Sequence, residues 1–163
     1  MIPSDHFVRF YNEIFKFLDQ RGGLQDFYNE ISRHQEKHCL NDFIREGLRG
    51  VYNYYLKIIK EENCDCINEF ESEHCLILKM NKCPSLSKAV NNDAGASRKY
   101  CLHCPGWTMP LYAKAGLYQI YDIMGLDNPQ CCEWILDDLA EARQKYIELK
   151  KSDPSRELLK NFD

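Results

Sequence analysis

The sequence predicts an α+β fold in which N-terminal helices pack on a small antiparallel sheet and a C-terminal helix follows. Three observations lead there. Apolar residues recur at helical spacing through residues 7–59, short apolar runs bounded by turn residues follow an acidic stretch, and 137–151 is charged and amphipathic. The 163 residues suffice to bury a core and fit a single domain over 1–152, with a C-terminal tail at 153–163.

Ser4 is placed to cap a first helix carrying Phe7, Phe10, Tyr11, Ile14, Phe15 and Leu18, which Arg21-Gly22-Gly23 ends. A second helical pattern starts near Leu24 and runs through Phe27, Tyr28 and Ile31. After a break near Asn41-Asp42 it continues through Phe43, Leu48, Val51, Tyr55, Ile58 and Ile59. EENCDCINEFESE (61–73) holds six acids and no base and reads as a solvated connector. HCLILKM (74–80) fits a buried strand, closed by Cys83-Pro84. A helical turn is expected at 85–90, a polar loop at NNDAGAS (91–97) and a short helix at 110–116. YQIYDIMG, GLDNP and QCCEWIL (118–136) read as strand, turn and strand. Asp153-Pro154-Ser155 interrupts the final helix, and a frayed tail is expected beyond it.

With 21 basic and 25 acidic residues the net charge is -4, which gives nucleic acid no general attraction. MIPSDHFVRF lacks the apolar region of a secretion signal, and no apolar run is long enough for a membrane span. A cytoplasmic, reducing compartment is the expectation, and there nine cysteines, an odd count, read as thiols or metal ligands rather than disulfides. The first helix, with Phe7, Phe10, Tyr11, Phe15 and Phe17, offers more apolar surface than one face needs, as a homodimer contact would require.

The chemistry concentrates in YCLHCPGW (100–107). Two cysteines separated by two residues grip a metal, form a transient redox disulfide, or present one thiolate as a nucleophile. Cys83, Cys101, Cys104 and Cys131 have the spacing C-x17-C-x2-C-x26-C, which holds one of the two knuckles of a zinc ribbon. Adjacent strand residues point to opposite faces, so one of Cys131 and Cys132 faces any site. The metal set read here is Cys83, Cys101, Cys104 and Cys132, with His103 able to replace a thiolate, for zinc ahead of an iron–sulfur cluster. His34 and His38, four apart on one helix, are a second pairing, although surface histidines fit them better. Cys64 and Cys66 sit among carboxylates that disfavour their thiolates. Covalent catalysis is the alternative to metal binding, with His103 beside Cys101 and Cys104. For any one cysteine, burial as a small apolar residue is the better reading. Trp107 and Trp134 either fill the core or, with Tyr100, Tyr112, Tyr118 and Tyr121, line a pocket for a planar ligand.

The order of these features resembles the 2-amino-thiazoline-4-carboxylate hydrolase family of bacterial proteins. ISRHQEKHCL resembles a helical segment of that family, KMNKCP its strand ending in Cys-Pro, Tyr100-Cys101 its Tyr-Cys, Gly116 its glycine, and Cys132-Glu133-Trp134 its last strand. The chain departs from the family where an aspartate shortly follows Tyr-Cys: His103-Cys104-Pro105-Gly106 stands there, with no acid until Asp122. The resemblance implies hydrolysis of a C–N or C=N bond in a small cyclic, amidine-like substrate. It makes Cys101 the first candidate nucleophile and Cys83 the second, His103 a general acid and base, and Glu133 a group that orients His103 or binds an amine. A substrate carboxylate would call on Arg33, Arg98 or Lys99. Hydrolase is therefore the leading reading, followed by a metal-binding module and a ligand- or partner-binding domain.

Overall fold

The computed structural model describes residues 3–91, 95–123, 126 and 130–163. The remaining positions of the expected NNDAGAS loop and of the GLDNP turn lie outside the described residues. The α+β architecture is as the sequence predicts: the described residues form six α-helices, a 3-10 turn and one five-stranded antiparallel sheet.

Helix α1 (Pro3–Arg21) begins one residue before Ser4, whose hydroxyl accepts a hydrogen bond from Lys88 instead of capping the helix. Its inner face buries Phe15, while Phe7, Phe10 and Phe17 stay exposed. Helix α2 (Leu24–Glu46) runs unbroken past Asn41-Asp42. The break comes at Gly47, whose φ of 56° suits a residue without a Cβ, and α3 (Leu48–Glu62) follows. The two helices approach closely at Gly50, where a Cβ would lie 2.5 Å from the Asp42 carbonyl oxygen.

The acidic stretch is not a connector. Residues Asp65–Ser72 form edge strand β1, with Cys66, Asn68 and Phe70 half-buried and Asp65, Ile67, Glu69 and Glu71 exposed. Its acids point outward, where charge on an edge strand discourages pairing with other chains. Strand β2 (Cys75–Lys82) pairs with it. Cys83 then caps α4 (Pro84–Val90), its Sγ accepting from Leu86 N–H at 3.4 Å. The 3-10 turn Tyr100–Leu102 leads into α5 (His103–Lys114), which starts seven residues ahead of the expected 110–116 helix and carries Pro110 in its interior.

Strands β3 (Tyr118–Ile123) and β4 (Cys131–Leu136) form the expected antiparallel pair. Helix α6 (Leu139–Ser152) is capped by Asp138, whose carboxylate accepts from Glu141 N–H. The expected frayed tail is instead strand β5 (Glu157–Lys160), which pairs with β3 and gives the order β1-β2-β4-β3-β5. Asn161 fixes it: Gln119 N–H donates to Asn161 Oδ1 at 2.7 Å, and Asn161 Nδ2 donates to the Leu117 carbonyl at 3.1 Å.

The sheet has two covered faces. Leu76 and Ile135 pack with Phe43, Val51, Leu111 and Tyr112 of α2, α3 and α5. On the opposite face Cys75, Ile120, Cys132, Trp134 and Leu136 pack with Ala142 of α6. A third cluster joins α1, α2 and α4 through Phe15, Tyr28, Leu86 and Tyr100. Buried Asn12 ties the 95–97 segment to it, accepting from Ser97 N–H and donating to the Gly95 carbonyl, both at 2.7 Å. No helix among the described residues is long and apolar enough to cross a membrane.

Candidate functional site

Strand alternation decides which side chains of β4 reach the helix-covered face. Cys131, Glu133 and Ile135 point there, while Cys132 and Trp134 point at α6. Glu133 sits mid-sheet, opposite Leu78 of β2 and Tyr121 of β3. With α2, α3 and α5 it bounds a cavity of about 320 Å³. The wall is largely apolar and aromatic, with Phe43, Tyr54, Tyr55, Leu78, Trp107, Leu111, Tyr112 and Tyr121 among its residues. Thr108, Cys39, Cys104, Cys131 and Glu133 supply polar or soft atoms. Gln35, Tyr54 and Ile58 also line a neighbouring polar pocket between α2 and α3, so the two spaces adjoin there.

A hydrogen-bonded network holds the carboxyl. Gln119 Nε2 donates to Glu133 Oε2, and the Gln119 side-chain oxygen faces the Thr108 hydroxyl at 3.0 Å. The Tyr112 hydroxyl donates to Tyr55 at 3.2 Å, and Tyr55 in turn bonds Glu133. Burial raises the Glu133 carboxyl from 4.5 to about 7, against the lowering effect of Gln119 and Tyr55. Its described hydrogen-bond partners are neutral, and no lysine, arginine or histidine stands among the described residues of the wall.

The residues of the sequence reading divide over three places. Cys104 and Glu133 lie in the cavity wall, where Cys131 takes the position that the sequence reading gave to Cys132. Cys83 and Cys101 pack against the α1–α4 cluster. Cys132 is buried on the other side of the sheet. His103 stacks on Phe15 and contacts Trp107, with ring centroids 5.5 and 4.7 Å apart. Its Nδ1 bonds the Tyr100 carbonyl, and its Nε2 lies 3.3 Å from Cys104 Sγ. Burial lowers it to about 4, so it is neutral at physiological pH.

The thiols all move upward. Burial raises Cys101 and Cys104 to about 12, with the Glu133 carboxyl adding to the shift of Cys104 and the Cys104 and Cys83 thiols to that of Cys101, and it raises Cys83 and Cys131 as well. Among the described residues no group of three or more His, Cys, Asp and Glu side chains is arranged to hold a metal ion. The expected zinc set does not fit, because the sheet stands between Cys132 and Cys104. His34 and His38 are exposed on α2, with His34 3.5 Å from Glu30. Of the aromatic residues expected at a planar-ligand pocket, Trp107, Tyr112 and Tyr121 line the cavity, whereas Trp134 and Tyr118 face α6.

Gln119, Tyr55 and Thr108 are site residues that the sequence reading misses. Period-two alternation in YQIYDI does place Gln119 and Tyr121 on one face, which is the one available signal for Gln119. The site is thus a small, largely apolar cavity with one buried, neutrally bonded carboxyl, the form of a small-molecule pocket. No family model, curated protein or solved structure matches the chain.

Proposed function

We propose that the chain is a small-molecule-binding domain whose ligand occupies the Glu133 cavity. The observation that carries this reading is the cavity itself, an apolar and aromatic space closed at the sheet by a single buried carboxyl. At about 320 Å³ it stands at the small end of ligand pockets. A second observation agrees: the buried indole N–H of Trp107, a wall residue, has no hydrogen-bond partner among the described residues. A buried donor left unpaired is costly, and a ligand acceptor relieves that cost.

Fluorescence tests the proposal. The chain has two tryptophans, so in a Trp134→Phe background the remaining indole, Trp107, reports on the cavity wall. A set of small aromatic compounds should include members that change its emission saturably, and a Cys131→Phe variant that fills the cavity should abolish the change. A folded protein whose Trp107 responds to no member of the set contradicts the proposal.

Hydrolysis is the second reading, and it rests on the 3.3 Å approach of Cys104 Sγ to His103 Nε2 at the cavity. In that scheme the Cys104 thiol adds to the C=N carbon of an amidine-like substrate while His103 or Glu133 passes its proton to nitrogen. A C–N bond then breaks to release the amine, and water adds to the same carbon, breaking the C–S bond and returning the thiol. Burial acts against it, since it favours a neutral thiol beside a neutral imidazole over a thiolate–imidazolium pair. Selective iodoacetamide labelling of Cys104 at neutral pH supports hydrolysis, and uniformly slow labelling of every thiol contradicts it.

A further inference from the structure

We infer that the ligand of the Glu133 cavity is a small organic amine, bound as its ammonium form and carrying a compact apolar or aromatic body. This rests on the ligand-binding reading above and names the class of molecule the site takes.

Charge decides the class. Glu133 is the sole carboxyl among the described residues of the wall, and no basic side chain stands with it. The groups that face it are Tyr55 from α3, Tyr112 and Cys104 from α5, Tyr121 from β3, Cys66 from β1 and Cys131 from its own strand. Burial holds each of these in its protonated, uncharged form. An ionised carboxylate in such surroundings lacks the counter-charge that buried charges require. An ammonium group supplies it, and a neutral or anionic ligand does not.

Geometry agrees with charge. A carboxylate offers about four acceptor positions, and Gln119 and Tyr55 take two of them. The others remain for N–H donors of a ligand. Tyr54, Tyr55, Trp107, Tyr112 and Tyr121 present aromatic rings around the same space, which suits a cation and its apolar body alike. The proton balance follows. Below about pH 7 Glu133 holds its proton, so binding an ammonium ion displaces that proton to the buffer. Affinity therefore rises with pH until the carboxyl is ionised.

Titration calorimetry with benzylamine, benzyl alcohol and benzoate separates the outcomes. Benzylamine should bind at least about tenfold more tightly than benzyl alcohol at mildly alkaline pH, the factor a charge-assisted hydrogen bond supplies. In mildly acid solution its binding heat should vary with the ionisation enthalpy of the buffer, reporting the released proton. Glu133→Gln should lose the preference for benzylamine over benzyl alcohol and, with it, the buffer-dependent binding heat. Equal binding of benzylamine and benzyl alcohol to the wild-type protein, or tighter binding of benzoate, overturns the amine assignment and leaves the cavity a ligand site. No binding of any of the three, with Trp107 emission unmoved, overturns both. The wild-type proton release keeps the test independent of how well the variant folds.

Discussion

Replacing Glu133 by glutamine should stabilise the protein progressively as pH rises. The carboxyl is 4% exposed and its value is lifted by burial from 4.5 to about 7. Because the folded value is the raised one, the carboxyl's contribution to stability is fully present below the unfolded value and is lost as pH rises through about 7. Between about pH 5 and about pH 8 this amounts to roughly 2–3 kcal/mol, at about 1.4 kcal/mol for each tenfold change in proton activity between the two values. Glutamine is nearly isosteric and does not titrate. Any altered hydrogen bond to Gln119 or Tyr55 shifts the variant by a constant amount, and His103 titrates alike in both proteins. The signal is therefore the difference between the two stability profiles, measured by urea unfolding across that range. The variant should gain on the wild-type protein toward alkaline pH. Parallel profiles would show that Glu133 is not held as a neutral acid, and the electrostatic reasoning would be wrong.

Gly106→Ala should destabilise the fold by about 1–3 kcal/mol, read by calorimetry, because its Cβ would lie 2.6 Å from Tyr28 Cδ2. An unchanged melting temperature contradicts that contact. Asn161→Ala removes the acceptor of Gln119 N–H and should cost about 1–2 kcal/mol while accelerating exchange of the Gln119 amide. Unaltered exchange would mean that the tail does not anchor β3. Acid should destabilise the protein through His103, whose stabilising contribution is present above 6.5 and lost as pH falls toward about 4. His103→Phe should flatten that limb of the urea profile, and an unchanged limb rules the residue out as its source.

Much of the fold is legible in the sequence because the segments concerned are long and periodic. Phe15, Tyr28, Phe43 and Val51 mark the helical inner faces, and QCCEWIL and YQIYDI mark the central strands. The failures have local causes. In β1 the acids conceal the alternation of Cys66, Asn68 and Phe70. In α5 Pro105 and Pro110 disguise a helix that tertiary contacts maintain. In β5 four residues carry too little pattern to reveal a strand that β3 and Asn161 hold in place.

The site is legible only at its centre. Glu133 stands out as an acid in an apolar strand, but a site containing both Cys132 and Glu133 breaks the two-residue period, and Cys131 is the neighbour that shares its face. Tyr55 comes from α3, and Thr108 and Gln119 come from α5 and β3 much later in the sequence. Their convergence follows from how α3 and α5 cross the sheet, which residue spacing does not encode.

The most direct measurement is a 13C NMR titration of the Glu133 carboxyl, assigned through Glu133→Gln, without and with saturating benzylamine. The free protein should titrate near 7, and benzylamine should move the midpoint well below that value. A free-protein midpoint at the ordinary 4.5, or one that benzylamine leaves unmoved, contradicts a buried carboxyl poised to receive an amine.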